Sequence, residues 1–261
     1  MKEMVMEVIL YRELLYMLTW KDIKVRYKQS IMGFLWAIFM PMMIVLAGIV
    51  IKFAFSYVAG KGFNGTDIAT ISVKALPWSF FIGSVRFATN SLTSNGSLVT
   101  KIYFPREVLP LAAVMANLFD FLIAASALTV VMAVLQVKIG IHILWLPLIL
   151  VLLVILTAGI CMFLACANLF FRDVKYVVEV ILTFAIFFTP VFYDVSMFGK
   201  WAPLLLLNPV GTLLEAIKDV TIMNQPPDLL WLAYAAACSV GGLLLSWTIF
   251  HRAEFMFAER I

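Results

Sequence analysis

IHILWLPLILVLLVILTAGICMFLACA, residues 141–167, contains no Asp, Glu, Lys or Arg. A helix needs about 20 predominantly apolar residues to cross the hydrocarbon core of a bilayer, and this stretch is longer than that. The rest of the chain is similar, because 64% of its 261 residues are hydrophobic and only 13% are charged. In soluble domains roughly a quarter of the residues are charged. The sequence therefore predicts an all-α integral membrane protein.

Apolar stretches of this kind recur along the chain and predict six transmembrane helices. Basic residues are concentrated before the first of them, in the second and fourth intervening loops, and in the tail. The positive-inside rule assigns such segments to the cytoplasm. We therefore expect a multi-pass protein of the cell inner (cytoplasmic) membrane with both termini cytoplasmic. The predicted spans are at about 31–57, 75–97, 111–137, 141–167, 177–193 and 229–250.

The chain is predicted to form a single transmembrane domain, 1–261, with distinct flanks. In residues 1–30 apolar and basic side chains follow helical spacing on different faces. This pattern favours an amphipathic interfacial helix on the cytoplasmic leaflet; a helix packed on a neighbouring element is the alternative. Residues 31–250 then form the six-span bundle, and residues 251–261 form a cytoplasmic tail.

Residues 196–228, between the last two predicted spans, are too many for a tight turn and too interrupted for a span. Asn208 can cap a new helix, and Pro209 can occupy its first turn. Glu215 then lies on the polar face of that helix. Two short external re-entrant helices fit this pattern, and irregular backbone at membrane depth must be buried in protein or face water. Asn208, Pro209 and Glu215 are thus candidates for an external gate; a cap lying flat on the external surface is the alternative.

Several kinds of chemistry lack their sequence signature. The phosphate-loop pattern G-x-x-x-x-G-K-[ST] does not occur, so the chain does not bind ATP in that way. The two histidines, His142 and His251, are placed on opposite sides of the membrane. We therefore predict no catalytic residue, no metal site and no cofactor bound by this chain.

Two charges, Arg86 and Asp120, fall within or close to predicted spans. A charge at mid-bilayer is costly, so each should face protein, water or a partner charge. They either pair with each other or are unrelated charges near the interfaces. An ion-coupled carrier usually has more such charges, which disfavours that class.

Four stretches resemble one known family. TWKDIKVRYKQSIMGFLWAIFMPMM (19–43) looks like the opening of ABC-2-type permease subunits of polysaccharide exporters, which move O-antigen, capsule-type glycans or teichoic acids. NLFFRDVKYVVEVIL (168–182) and FFTPVFY (187–193) resemble the loop before the fifth span and the end of that span. LNPVGTLLEAIKDV (207–220) resembles the segment before the last span, although Lys218 stands where Arg is expected and its role is open.

The resemblance implies a homodimer that docks two copies of a separate nucleotide-binding ATPase subunit, which uses ATP and Mg²⁺. It also implies a pore along the dimer interface, lined largely by the first and fifth spans, for a lipid-linked glycan. Membrane lipid is a further partner, and nucleic acid is not.

KIYFPREVLPL (101–111) corresponds, by resemblance, to a cytoplasmic coupling helix that contacts the ATPase. Aromatic residues and Arg are common interface anchors; the alternative is an interfacial loop. FRDVKY (171–176) is a second and weaker candidate contact. The candidate coupling residues are Tyr103, Phe104, Pro105, Arg106, Glu107, Arg172 and Asp173.

Aromatic residues are abundant in the first and fifth predicted spans. Flat aromatic faces stack on sugar rings without requiring one hydroxyl pattern, which suits a sliding polymer. The alternative is that these side chains face lipid or pack inside the protein. The pore candidates are Phe34, Trp36, Phe39, Phe184, Phe187, Phe188, Phe192 and Tyr193.

The expected function is therefore the permease subunit of an ATP-driven exporter of lipid-linked, O-antigen-like polysaccharide. An exporter of teichoic acid, lipid or drug is the alternative within the family. A membrane enzyme acting on polyprenyl-linked sugars is a further alternative, disfavoured because no carboxylate or histidine cluster is visible in the sequence.

Overall fold

The computed structural model describes residues 10–28, 32–58, 62–102, 104–134 and 140–257, together with residue 6. Throughout these ranges the secondary structure is helical, with no strand. The all-α membrane fold is thereby confirmed. The α-helices are α1 (Arg12–Tyr27), α2 (Leu35–Val58), α3 (Gly65–Thr89), α4 (Ser91–Ser94), α5 (Gly96–Lys101), α6 (Val108–Val134), α7 (Leu146–Phe170), α8 (Val174–Phe188), α9 (Ala202–Leu206), α10 (Pro209–Lys218) and α11 (Leu229–Ala253).

Five helices within the described ranges are long and apolar enough to cross a membrane. They are α2, α3, α6, α7 with the 3₁₀ turn that precedes it, and α11 with the turn that follows it, so that the last two extend over Ile141–Phe170 and Leu229–Met256. They correspond to five of the six predicted spans.

The second span begins about ten residues earlier than the sequence predicts. Helix α3 starts at Gly65, where Asn64 and Asp67 form a capping box, and it ends at Thr89. Its first half carries polar residues such as Thr70, Ser72 and Lys74, all of them buried. Because these residues face protein rather than lipid, hydropathy alone misplaces the span. The polar stretch 89–97 lies largely in the short helices α4 and α5 instead.

The fifth predicted span, 177–193, is shorter than expected. Helix α8 has 15 residues and ends at Phe188, so at 1.5 Å per residue it measures only about 22 Å. A bilayer core is about 30 Å thick. Proline disfavours helical backbone in the residue before it, and Thr189, which precedes Pro190, is extended. The chain therefore leaves the helix part-way across and enters the 3₁₀ turn Val195–Trp201 and helices α9 and α10.

Helix α3 is the centre of the bundle. It packs against α2, α6, α7 and α10, and it supplies Trp78 and Phe80 to the larger of two apolar cores. The smaller core joins the beginning of α6 to the ends of α7 and α11, and it includes Phe104, Phe250 and Phe257. Helix α2, by contrast, contributes few buried residues.

Helix α1 confirms the predicted N-terminal helix within the described residues. It lies against α6 and buries Leu18 and Ile23. Leu14 and Leu15 are partly buried against the smaller core, whereas Tyr16, Met17 and Val25 are exposed. An exposed apolar side next to basic residues is what a helix on a membrane surface requires, so membrane contact stays a prediction alongside the observed packing on α6.

Helices α7 and α11 pack closely at Gly159. A Cβ atom added there would lie 2.9 Å from the backbone Cα and N atoms of Leu243. Gly241, also on α11, has nothing within 4 Å of an added Cβ. The two glycines therefore provide a matched comparison of packed and open positions.

We predict that Gly159→Val lowers stability by about 1–3 kcal/mol, because the side chain collides with a backbone that cannot move aside. Gly241→Val should leave stability nearly unchanged. Thermal denaturation in detergent, followed by size-exclusion chromatography, measures both. Equal effects of the two substitutions would contradict this packing.

Candidate functional site

Helices α9 and α10 form the broken helix pair that the sequence predicts. The Asn208 side chain accepts a hydrogen bond from the backbone N–H of Val210 (3.1 Å), and Pro209 occupies the first turn of α10. The Asn208 amide also donates to the Thr189 hydroxyl (3.0 Å). Residues 210–217 are all buried, because α10 packs against α3, α7 and α11. This helix is therefore inserted into the bundle rather than lying flat upon it.

A cluster of charged side chains fixes α10 to the spans. Lys74 of α3 is 1% exposed, and its Nζ lies 3.1 Å from Oε1 of Glu215. The same ammonium group donates to the carbonyl oxygen of Tyr193 (2.7 Å). Lys218, whose role is open from sequence, pairs with Glu215 and lies 3.5 Å from Asp219.

Asp194 extends this cluster to helix α2. Its carboxylate lies 3.2 Å from Nζ of Lys52 and 3.8 Å from Nζ of Lys74. Lys52 also contacts Asp67 at 2.8 Å. Burial by itself would raise the pKa of the Asp194 carboxyl, but the ammonium groups of Lys74, Lys52 and Lys218 outweigh it and hold that pKa below its ordinary value. We call this set the buried ion network: Lys52, Asp67, Lys74, Asp194, Glu215, Lys218 and Asp219.

Of the network, sequence reasoning identified only Glu215 as a site residue. Lys52 and Lys74 sit at the edges of apolar runs, where a lysine usually extends to the lipid headgroups. Their partners lie more than a hundred residues away along the chain, at Asp194 and Glu215. No local spacing links these residues, so only the fold assembles them.

Arg86 and Asp120 do not pair with each other. Arg86 of α3 makes a bidentate pair with Glu179 of α8, at 2.7 Å for the shortest contact. Asp120 of α6 instead accepts from Arg26 (2.7 Å) and from the Tyr27 hydroxyl (2.6 Å) of α1. Each charge has a carboxylate or guanidinium partner on a helix that the sequence did not suggest.

The two arginines line one cleft of about 590 Å³ between α1, α2, α3 and α6. Arg26 is mostly buried there, with its guanidinium 3.9 Å from the centre of the Phe87 ring. The Arg86 and Glu179 side chains, in contrast, are 49% and 44% exposed. A salt bridge that is open on one side within the apolar part of a membrane protein needs water or another chain beside it.

Most of the predicted pore aromatics are exposed in the single chain. Exposed side chains include Phe34, Trp36 and Phe39 at the start of α2, and Phe184, Phe187 and Phe188 on α8. Phe192 and Tyr193 are partly buried. The Phe192 ring packs on Gly48, where an added Cβ would be 2.6 Å from the ring, and Tyr193 packs on Phe198. These last two side chains thus secure the turn after α8.

The predicted coupling segment is largely folded into the protein. Phe104 and Glu107 are 3% and 2% exposed, and Pro105 is also buried. Arg106 donates to the carbonyl oxygen of Glu254. Tyr103 lies outside the described residues. The Phe104 ring cannot fill a pocket on a partner without leaving the smaller apolar core, contrary to the role that the sequence suggests for it.

The weaker candidate segment is the more accessible one. Arg172 and Asp173 are exposed in the turn between α7 and α8, and the neighbouring Phe171 is 71% exposed. Ile102, just before Phe104, is 56% exposed. These side chains are available for contact with a partner, whereas those of residues 104, 105 and 107 support the fold beneath them.

Comparison with known proteins places this geometry in context. The family model described as "ABC-2 type transporter" matches residues 13–221. The chain is 30% identical over 265 residues to the "O-antigen export system permease protein RfbA" of Myxococcus xanthus, with all of both chains covered. It is 29% and 30% identical to two Klebsiella pneumoniae proteins of the same name, over 95% of this chain and 94% of each relative.

We predict that Lys74→Met destabilises the protein by about 3 kcal/mol, because it leaves buried carboxylates short of a counter-charge. Lys200→Met removes an exposed lysine of the turn that precedes α9 and should have little effect. Thermal denaturation in detergent compares the two variants. The double variant Lys74→Met/Glu215→Gln should recover part of the loss; no recovery would argue against the ion pair.

Proposed function

The chain belongs to the ABC-2 type transporter family, and on that premise we propose that it is the permease subunit of an exporter of lipid-linked, O-antigen-like polysaccharide. Three relatives that share about 30% identity over nearly their full length carry the name of an O-antigen export permease. The glycan moves outward across the inner membrane. Because the glycan is linked to a lipid, the passage must admit both a polar chain and an apolar anchor.

One observation carries the proposal: an open Arg86–Glu179 salt bridge lies on α3 and α8, while the exposed aromatic faces belong to α2 and α8. Charged side chains within membrane helices ordinarily face water or protein rather than lipid. Aromatic rings beside a watery surface suit sugar rings, which have apolar faces and polar edges. A second copy of the chain, opposite these faces, would enclose a passage with both properties.

A homodimer also provides cover for the apolar surface of α2. Apart from Ala37, Gly48 and Lys52, this helix has no fully buried residue within a single chain. Trp36 and Phe39 are among its exposed residues, and Phe34, directly before it, is exposed as well. Lipid can cover part of this surface, and the partner copy covers the rest.

The driving force comes from a separate ATPase subunit that uses ATP and Mg²⁺, because this chain has no phosphate loop. Two copies dock at the cytoplasmic end, with Phe171, Arg172 and Asp173 as contacts. The guanidinium of Arg106 lies 6.0 Å from the centre of the Phe257 ring, which in turn packs on Phe170, the residue before this surface. Phe104 and Glu107 transmit the motion, because they connect the segment before α6 to α7 and α11 through the smaller apolar core and contacts with His251.

The buried ion network serves as the external gate. It holds the turn after α8 against α2 through Lys52, and α10 against α3 through Lys74. Lys218 of α10 lies 4.0 Å from Asp194 in that turn. Separating buried charged partners is costly unless water replaces them. The gate therefore opens only when water or glycan hydroxyls enter from the passage, which prevents leakage in the resting state.

The basic N-terminal helix and tail lie on the cytoplasmic side in this scheme, as the positive-inside rule requires. Helix α1 then rests at the inner leaflet, held to α6 by the Arg26–Asp120 pair. The ion network faces the outside.

We predict that the double variant Phe184→Ala/Phe188→Ala lowers glycan export by about tenfold or more, because each aromatic contact is worth roughly 0.5–1.5 kcal/mol. Phe163→Ala on α7, also an exposed phenylalanine, is the control. Surface polysaccharide is measured in cells whose own copy of the gene is deleted, with membrane levels of each variant checked. Normal export by the double variant would exclude α8 from the pathway.

We predict that Arg172→Glu weakens co-purification with the ATPase subunit by at least about tenfold, because reversing an interface charge costs several kcal/mol. Lys200→Glu, at the opposite end, should co-purify normally. Unchanged recovery of the ATPase with Arg172→Glu would place the contact elsewhere. Isolated chain that exports glycan without any ATPase would refute the proposed function itself.

A further inference from the structure

Glu107, His251 and Glu254 form a compact cluster where the segment before α6 meets the end of α11. One side-chain ligand atom from each lies within 4.8 Å of the other two. Nδ1 of His251 is 3.5 Å from Oε1 of Glu107 and 3.6 Å from Oε2 of Glu254. These separations exceed a hydrogen bond, so the three groups face one another without being bonded.

The Glu107 carboxylate is not satisfied by the protein. The residue is 2% exposed, and its Oε2 is buried without a hydrogen-bond partner among the described residues. A buried carboxylate oxygen normally has a donor or a cation beside it. The other oxygen, Oε1, faces Nδ1 of His251 at 3.5 Å without a hydrogen bond. A buried carboxylate with no hydrogen-bond donor on either oxygen among the described residues indicates that a positively charged group belongs beside it.

The neighbouring arginine does not supply that charge. The guanidinium of Arg106 donates to the backbone carbonyl oxygen of Glu254 and lies 6.0 Å from the centre of the Phe257 ring. The backbone N–H of Arg106 donates to Oε1 of Glu254 (3.2 Å). This contact fixes the Glu254 carboxylate and leaves its Oε2 turned toward His251. The Glu254 carboxylate is thus held in place before any ion binds.

The two distances from His251, 3.5 Å to Glu107 and 3.6 Å to Glu254, match those between ligands of one metal ion. Nitrogen and oxygen ligands bind zinc at about 2.1 Å in a tetrahedron, and two such ligands are then about 3.4 Å apart. Imidazole nitrogen combined with carboxylate oxygen suits a borderline divalent ion. We propose that Glu107, His251 and Glu254 bind a divalent cation of the zinc class. Water completes the coordination, because His251 is 45% exposed.

Such an ion would join two parts of the chain that are far apart in sequence. Glu107 lies directly before α6. His251 and Glu254 are three residues apart, in the last turn of α11 and in the 3₁₀ turn that follows it. Binding would rigidify the path from the segment around Phe104 to α11. The sequence predicts no metal site, because its two histidines are far apart along the chain. No spacing pattern links Glu107 to His251 or Glu254 either. Zinc binding by these three residues requires no transport activity of the chain.

The test is a titration of the full chain, purified in detergent, freed of its affinity tag and stripped of metal with a chelator. Isothermal titration calorimetry with Zn²⁺ should give one saturable site per chain, and Mg²⁺ should bind far more weakly. His251→Ala and Glu107→Gln should each weaken zinc binding by at least about tenfold, since even changes to supporting residues have effects of that size.

His142→Ala, which removes the other histidine, is the matched control and should bind zinc normally. Size-exclusion chromatography verifies that each variant is folded. If Glu107→Gln does not fold, His251→Ala decides the matter, because its side chain is nearly half exposed. Wild-type chain without saturable zinc binding, or His251→Ala with wild-type affinity, would overturn the proposal.

Discussion

The ammonium group of Lys74 is the constraint on which much of this structure depends. A charge that is 1% exposed inside a membrane bundle cannot persist without partners. Glu215, Asp194 and the carbonyl oxygen of Tyr193 provide them, from two different parts of the segment between α8 and α11. This one requirement therefore ties the turn after α8 and helix α10 to α3. The early start of α3 places Lys74 inside a helix that is surrounded by protein.

The two ends of the bundle have different mechanical properties. At one end the ion network consists of charges that water can separate, and it secures short helices joined by turns. At the other end Phe104, Phe250 and Phe257 form a dry apolar core that connects α6, α7 and α11. A motion delivered to the apolar end would be transmitted with little loss, since close-packed interiors deform poorly. In the proposed function the ionic end would respond by opening. Helices α2 and α8 keep exposed aromatic faces, and in that proposal these faces meet a partner copy and a passing polymer.

The outcomes for particular residues show where sequence reasoning fails. Asn208 caps α10 and Pro209 occupies its first turn, as predicted, because capping is a local property of two adjacent residues. The burial of Phe104 was not predicted, because an aromatic residue between charges looks the same from sequence whether it faces a partner or its own core. The salt bridge of Arg86 with Glu179 joins α3 to α8, and that of Asp120 with Arg26 joins α6 to α1. Nothing in either local pattern indicates which distant partner is chosen.

The sequence by itself determined that the chain is an all-α membrane protein, where most of its spans lie, and that its broken segment before the last span starts a helix at Pro209. Hydropathy, charge and capping act over a few residues, so they can be read in order along the chain. Only the tertiary structure decided that Lys52, Lys74 and Lys218 share one network, and that Glu107 meets His251 and Glu254. Those groups come together because buried charges must find partners in space, and the distance along the chain has no bearing on that requirement.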